Sequence, residues 1–290
     1  MKPKQAQAGF TLVEMIVVIV ITGIIGGMVA IFLRAPVQQY VATARRAEIT
    51  DIADTATRRI GRDLRLALPN SVRVTSAGLF LEFLPTRGGG RYRVDAAATG
   101  TAAGCGSLNA DVLNFSDTDP CFEVFGPPMA VNTFTAGTDR IAVYNLGIAG
   151  ADAYAGNNTA GYASNTASSI TINPAFRFPF ESPSARFQVI TTPVSYVCIP
   201  IVGGVGGTLT RYWGYPIQPL QTAVDTTAEL IALTTPATRA VLANNVSTCN
   251  FSYDANVVAQ RSGLLTLNLG ITLDGETVNL YSATHVSNVP

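Results

Sequence analysis

The chain has 290 residues, with 19 basic against 19 acidic side chains, one histidine and four cysteines. Residues 69–290 hold ten arginines against 14 acids, a mildly acidic balance that does not argue for nucleic acid or anionic lipid as partner. With His285 the only histidine and no C-x-x-C pair, a zinc site lacks its usual ligands and a Ser/His/Asp triad has one imidazole to draw on.

Residues 1–9 are short and polar, and they hold Lys2 and Lys4, the only lysines of the chain. Residues 10–33 follow as 24 positions in which Glu14 is the only charge. At about 1.5 Å per residue they make roughly 36 Å of helix, enough to cross a hydrocarbon core of about 30 Å. Two positive charges ahead of an apolar helix hold the N-terminus in the cytoplasm and send the rest outward. A secretory signal would carry a shorter apolar core with its small-residue cleavage site after it. Here the small residue, Gly9, stands before the run. A carboxylate at mid-depth costs about 2.5–3.5 kcal/mol, and Glu14, about 6 Å inside the segment, costs less but not nothing. Something must offset that cost. Gly23 and Gly27 form a G-x-x-x-G with Gly26 beside them. That spacing either lets helices approach closely or weakens the helix locally.

The helix is expected to continue to residue 68, with a kink or a new segment at Pro36. Val37, Tyr40, Val41, Ala44, Ile49, Ile52, Ala53, Ala56, Ile60, Leu64 and Ala67 recur at three- and four-residue steps, which is one apolar face. Arg45, Arg46, Arg58, Arg59, Arg62 and Arg65 lie largely around it, as a solvated face or a contact face for neighbouring subunits. Pro69-Asn70-Ser71 stops the helix.

Residues 69–290 read as one β-rich domain with a single substantial core, built from as many as two packed sheets. The run 79–84, then Gly88-Gly89-Gly90, then 91–94 is expected to be a hairpin. Further strands are expected at 140–146, 186–191, 194–199, 208–215, 248–253, 264–273 and 277–286, each β-branched or aromatic-rich and bounded by turn residues. Asp274-Gly275 between the last two is a strong hairpin signal. Residues 147–169 read as a surface loop or insertion, and 226–233 as a short helix.

Cys105, Cys121, Cys198 and Cys249 read as disulfides of an exported fold. Proximity pairs Cys105 with Cys121 and Cys198 with Cys249, out of three possible connectivities. The chain-entropy model assigns roughly 3 kcal/mol to the first and somewhat more to the second. Asp117-Thr118-Asp119 is either part of a calcium loop or a solvated acidic turn. Tyr212, Trp213 and Tyr215 are either a sugar-binding or partner-binding patch or, more simply, core. Gly203-Gly204-Val205-Gly206-Gly207 lacks the Lys-Ser/Thr of a phosphate loop and reads as a turn. No catalytic constellation and no cofactor emerge, so the chain reads as a structural protein rather than an enzyme.

The run Gly9-Phe10-Thr11-Leu12-Val13-Glu14 at the head of the apolar segment resembles the N-terminus of type IV pilin-like precursors. The resemblance implies cleavage between Gly9 and Phe10 by a prepilin peptidase and methylation of the new amine. Phe10 and Glu14 would then serve subunit assembly, with the Glu14 carboxylate paired to the amine of a neighbouring subunit. It also implies an α+β fold, in which a long N-terminal transmembrane and amphipathic helix packs on a β-rich globular pilin-like domain. The stretches 58–65, 67–73, 260–267 and 285–290 resemble a minor pilin of mannose-sensitive haemagglutinin pili; J-type pseudopilins of type II secretion are the neighbouring group. The implied organisation is a leader at 1–9, a helix at 10–68 and a periplasmic or extracellular domain at 69–290. The implied partners are other major and minor pilins, the peptidase and an inner-membrane assembly platform, with no nucleic acid. The protein would sit in the bacterial inner membrane before assembly and on a surface pilus after it. A pseudopilin role and a glycan-binding tip adhesin are the alternatives.

Overall fold

The computed structural model describes residues 9–95, 105, 112–126, 129–131, 133–255 and 262–290. One helix, α1 (Leu12–Leu64), opens the fold. The chain forms two compact units, 1–48 and 49–290, and the division falls within this helix. In the first unit α1 runs through Pro36 rather than ending there. Proline removes one i→i−4 hydrogen bond, and the turns on either side keep theirs, so the helix is not divided.

In the second unit, α1 contributes Ile49, Ala53, Ala56, Ile60 and Leu64, all buried and all at three- or four-residue spacing. The helix ends at Leu64, four residues short of the sequence expectation, where Leu66 and Ala67 donate to Asp63 and Leu64 in a tightened turn. The left-handed φ of +59° at Asn70 then turns the chain away.

A five-stranded sheet has the order β1 (Arg73–Val74), β2 (Phe80–Phe83), β9 (Val194–Ile199), β10 (Thr208–Trp213), β11 (Arg239–Asn244). A three-stranded meander consists of β12 (Val246–Asp254), β13 (Ser262–Leu273) and β14 (Glu276–Ser287). The stretch of α1 from Ile49 to Leu64 and both sheets enclose one core, which includes Phe83, Tyr196, Leu209, Phe251, Leu267 and Leu269. The disulfide Cys198–Cys249 joins β9 to β12, and so ties the two sheets together. Asp274 and Gly275, with φ of +50° and +85°, make the two-residue turn between β13 and β14 that their sequence signals.

Six further strands close into a barrel in the order β3 (Thr86–Tyr92), β4 (Asp119–Phe125), β7 (Ser169–Phe176), β6 (Thr159–Asn165), β5 (Arg140–Val143), β8 (Arg186–Ile190). Its own core holds Phe122, Ile141, Ile170, Phe178, Phe187 and Val189, with the Phe122 and Phe187 rings edge to face at 5.4 Å. Two principal cores therefore replace the single one expected. A second disulfide, Cys105–Cys121, fastens the chain ahead of β4 to that strand.

Three sequence expectations change here. Residues 79–94 are not a hairpin: β2 pairs with β1 and β9, whereas β3 pairs with β4 and β8. Gly88-Gly89-Gly90 lies inside β3 and serves close approach instead of turning. A Cβ at Gly89 would stand 2.7 Å from the Phe187 carbonyl oxygen, and one at Gly90 would stand 3.0 Å from the Phe187 ring. The stretch read as a loop at 147–169 contains β6 and the start of β7, whose small residues pair along the barrel. The segment around 226–233 is helical as expected: α2 (Thr227–Leu233) starts at a capping box of Thr226 and Glu229. The strand β11 that follows it was not foreseen.

Candidate functional site

The N-terminal site is built by one threonine. Thr11 Oγ1 accepts the Glu14 backbone N–H at 3.3 Å, and the Thr11 carbonyl accepts from Met15 at 3.2 Å. This N-cap fixes the helix start at Leu12, two residues after Phe10, and places Glu14 in the first turn. A carboxylate there is favoured by the positive end of the helix dipole, so the local fold supplies part of what a lone acid in an apolar segment lacks. Gly9 and Phe10 precede the helix and are exposed, Phe10 at 75 %. The bond between them therefore lies outside the helix with both residues exposed.

From Met15 to Leu33 the helix carries no charge and is open throughout. Every large apolar side chain from Leu12 to Leu33 is at least 47 % exposed. An 18-residue window of this helix has a mean hydropathy of 2.9, long and apolar enough to cross a membrane. Nothing lies within 4 Å of the position a Cβ would take at Gly23, Gly26 or Gly27, so their helix surface is free for close approach. An apolar surface of this extent requires lipid or other helices to cover it.

The second unit anchors α1 through polar groups as well as through its core. Asp63 Oδ2 accepts from the Tyr196 hydroxyl at 2.7 Å and from Arg211 Nε at 2.9 Å, joining the helix end to β9 and β10. Arg59 lies 3.4 Å from Oδ1. Burial, and then the hydrogen bond to Asp63, push the Tyr196 hydroxyl far above the ordinary tyrosine pKa, so it remains a donor. Under the five-stranded sheet, Glu82 is fully buried and accepts from Arg73 Nε at 2.6 Å and from the Tyr215 hydroxyl at 3.0 Å. Burial raises the Glu82 pKa above the ordinary carboxylate value, and Arg73 opposes that rise. The Arg73 guanidinium sits 3.6 Å above the Tyr154 ring centroid. At the junction after α1, the Asn70 side chain donates to the Asn145 and Asn288 carbonyls, and so binds the C-terminus to the start of the β domain.

Several residues singled out by sequence take other parts. Tyr212 and Tyr215 are buried, and Trp213 is half-buried with Arg211 Cζ 4.8 Å from its ring centroid, so the aromatic cluster is core and not a sugar platform. Asp119 accepts the backbone N–H groups of Asn114 at 2.8 Å and Cys121 at 3.0 Å, which commits it to holding its own turn. Among the described residues no group of three or more His, Cys, Asp and Glu side chains could hold a metal ion. Gly203, Gly204 and Gly206 take positive φ in the turn between β9 and β10. Sequence reasoning missed Asp63, Glu82 and Arg73, because nothing local distinguishes a buried charge partner from a solvated one.

Residues 4–30 match the prokaryotic N-terminal methylation motif. The match supports a type IV pilin-like protein. It takes in Lys4, Gly9-Phe10, Glu14 and most of the apolar stretch at 10–33, and it stops well before the β-rich unit. No curated protein and no solved structure matches the chain. The long apolar helix followed by a β-rich domain is a pilin-like α+β architecture. The motif implies processing by a prepilin peptidase and assembly with other pilins, in a family whose members are structural. The apolar helix fits membrane anchoring before assembly.

Proposed function

We propose that this chain is the precursor of a minor pilin, cut between Gly9 and Phe10, that initiates or caps a type IV pilus of the mannose-sensitive haemagglutinin type and supports surface attachment. One observation carries the reading: a lone carboxylate, Glu14, stands in the first turn of a helix that begins just after Gly9-Phe10 and whose stretch up to Leu33 is apolar and exposed. Cleavage would free an ammonium at Phe10. That charge and Glu14 of a neighbouring subunit are complementary, and a missing partner in lipid is costly, so the pair sets the axial register of the helices. Lys2 and Lys4 favour a cytoplasmic leader and a periplasmic β domain, which reaches the surface on assembly. The resemblance of 58–73 and of the C-terminal stretches is the support for the pilus type.

The test is intact mass and N-terminal peptide mapping after co-expression with a prepilin peptidase. Loss of residues 1–9 with a methylated Phe10 is expected, and Gly9→Leu should block it. An unprocessed N-terminus in the unsubstituted chain, or normal processing of Gly9→Leu, overturns the site. A type II secretion pseudopilin would pass the same test, so recovery in sheared surface fibres distinguishes the two machines. The adhesin alternative loses its sequence support, since Tyr212 and Tyr215 lie in the core.

A further inference from the structure

A cleft of about 380 Å³ opens beside the start of β5, between that strand, the turn carrying Tyr154 and the chain after β10. Arg140 lines it. The guanidinium is held from one side only: Nε donates to Thr159 Oγ1 at 3.1 Å and Nη2 to the Thr159 carbonyl at 2.9 Å. Thr159 is itself fully buried, so the arginine is fixed in one orientation by a rigid barrel position. Nη1 donates to none of the described residues, and no described carboxylate forms an ion pair with Arg140. The two acids nearest in sequence are occupied elsewhere. Asp139 Oδ2 pairs with Arg87 at 2.9 Å, and Asp152 Oδ1 accepts the Tyr154 backbone N–H at 3.0 Å.

A half-buried charge without a counterion is costly, and this one is oriented and left so at the wall of a cleft. Burial lowers the Arg140 pKa from the ordinary arginine value, in keeping with the missing partner. The rest of the lining is uncharged. Thr138 and Thr192 bring hydroxyls that make no hydrogen bond to a described residue, while Ala155 and Ile217 supply small apolar walls. The volume lies in the range that holds one small molecule, not a chain.

We propose that this cleft binds a small hydroxylated carboxylate, of the size of one acidic sugar residue, with the carboxylate on Arg140 and the hydroxyls on Thr138 and Thr192. A planar carboxylate matches the free edge of the fixed guanidinium. The threonines then favour a hydroxyl-bearing body over a bare acid, because their hydroxyls, which bond to no described residue, add hydrogen bonds that only a hydroxyl-bearing ligand returns. The site is independent of the assembly role: Phe10 and Glu14 lie on the other compact unit, so either reading can fail alone.

The experiment is titration of the detergent-solubilised full chain with glucuronate, glucose and acetate, read by ligand-observed NMR. Saturable glucuronate binding with Kd on the order of 1 mM, weakening as salt rises, is expected, with glucose and acetate each at least about tenfold weaker. Arg140→Gln should weaken glucuronate at least about tenfold, the loss of one charge-assisted contact. Thr138→Val, on the exposed rim, should weaken it several-fold without disturbing the fold, and this serves if Arg140→Gln does not fold. Absence of saturable glucuronate binding, equal binding of glucose or acetate, or unchanged affinity in folded Thr138→Val overturns the proposal.

Discussion

Asp63→Ala tests how the helix is locked to the β domain. The carboxylate accepts from Tyr196 at 2.7 Å and from Arg211 at 2.9 Å, and Asp63 and Arg211 side chains are each 16 % exposed. Hydrogen bonds to charged groups contribute about 1.5–3 kcal/mol each, and removing one partner of a buried pair costs about 3–5 kcal/mol. Residual solvent contact discounts those figures, and the half-exposed Arg59 adds only about 0.3–0.5 kcal/mol. The expected loss is therefore about 3 kcal/mol, or roughly 6–12 °C in Tm for a unit of this size. The chain has one tryptophan, Trp213, and Arg211 lies over its ring, so intrinsic fluorescence reports this junction directly. Urea unfolding of the detergent-solubilised chain measures the loss. A double-mutant cycle with Arg211→Met should return a coupling of about 1–2 kcal/mol. Coupling below about 0.5 kcal/mol would show that the contact is solvated and that core packing alone holds the helix.

Three further outcomes follow from the same contacts. Glu14→Ala should leave cleavage and methylation at Phe10 intact while lowering recovery of the protein in sheared fibres; undiminished recovery removes the carboxylate from the assembly mechanism. Replacing Cys198 and Cys249 together by serine opens a loop with a sequence separation of 51, and should cost about 4 kcal/mol in urea unfolding. A loss under about 1 kcal/mol would mean the two sheets are held by their shared core. Glu82 has a folded pKa above its unfolded value, so its contribution is complete below the unfolded carboxylate pKa and is lost as pH rises through the folded one. Glu82→Gln should therefore flatten the decline of Tm with rising pH in that window, while lowering Tm at neutral pH because Arg73 loses its partner. Parallel Tm profiles for the two proteins from pH 4 to 7 would contradict that account.

Much of the chain was legible because its signals are short-range. The apolar run of residues 10–33 and the short helix at 226–233 are each contained in one stretch of sequence, and Asp274-Gly275 encodes its own left-handed turn. β9, β13 and β14 announced themselves by β-branched residues between turn formers. The reading failed where a local signal has two physical uses. Gly88-Gly89-Gly90 looks like a turn from sequence, but its function is to admit the Phe187 backbone and ring, which only the barrel brings there. The Gly/Ala/Asn/Thr-rich stretch at 147–169 looked like a loop, because small residues make strands only when neighbours bury them.

What the sequence determined by itself is the N-terminal chemistry: two lysines, a small residue, one carboxylate and a helix long enough for a membrane. Each of these depends on residues within a few positions of one another. The tertiary structure alone decided which strands share a sheet, which charges lose their water and that Arg140 is held by Thr159 with no ion pair to a described carboxylate. Asp63 meets Arg211 across 148 positions, and Asn70 meets Asn288 across 218. Desolvation and pairing depend on what the folded chain brings alongside, so no window of sequence contains them.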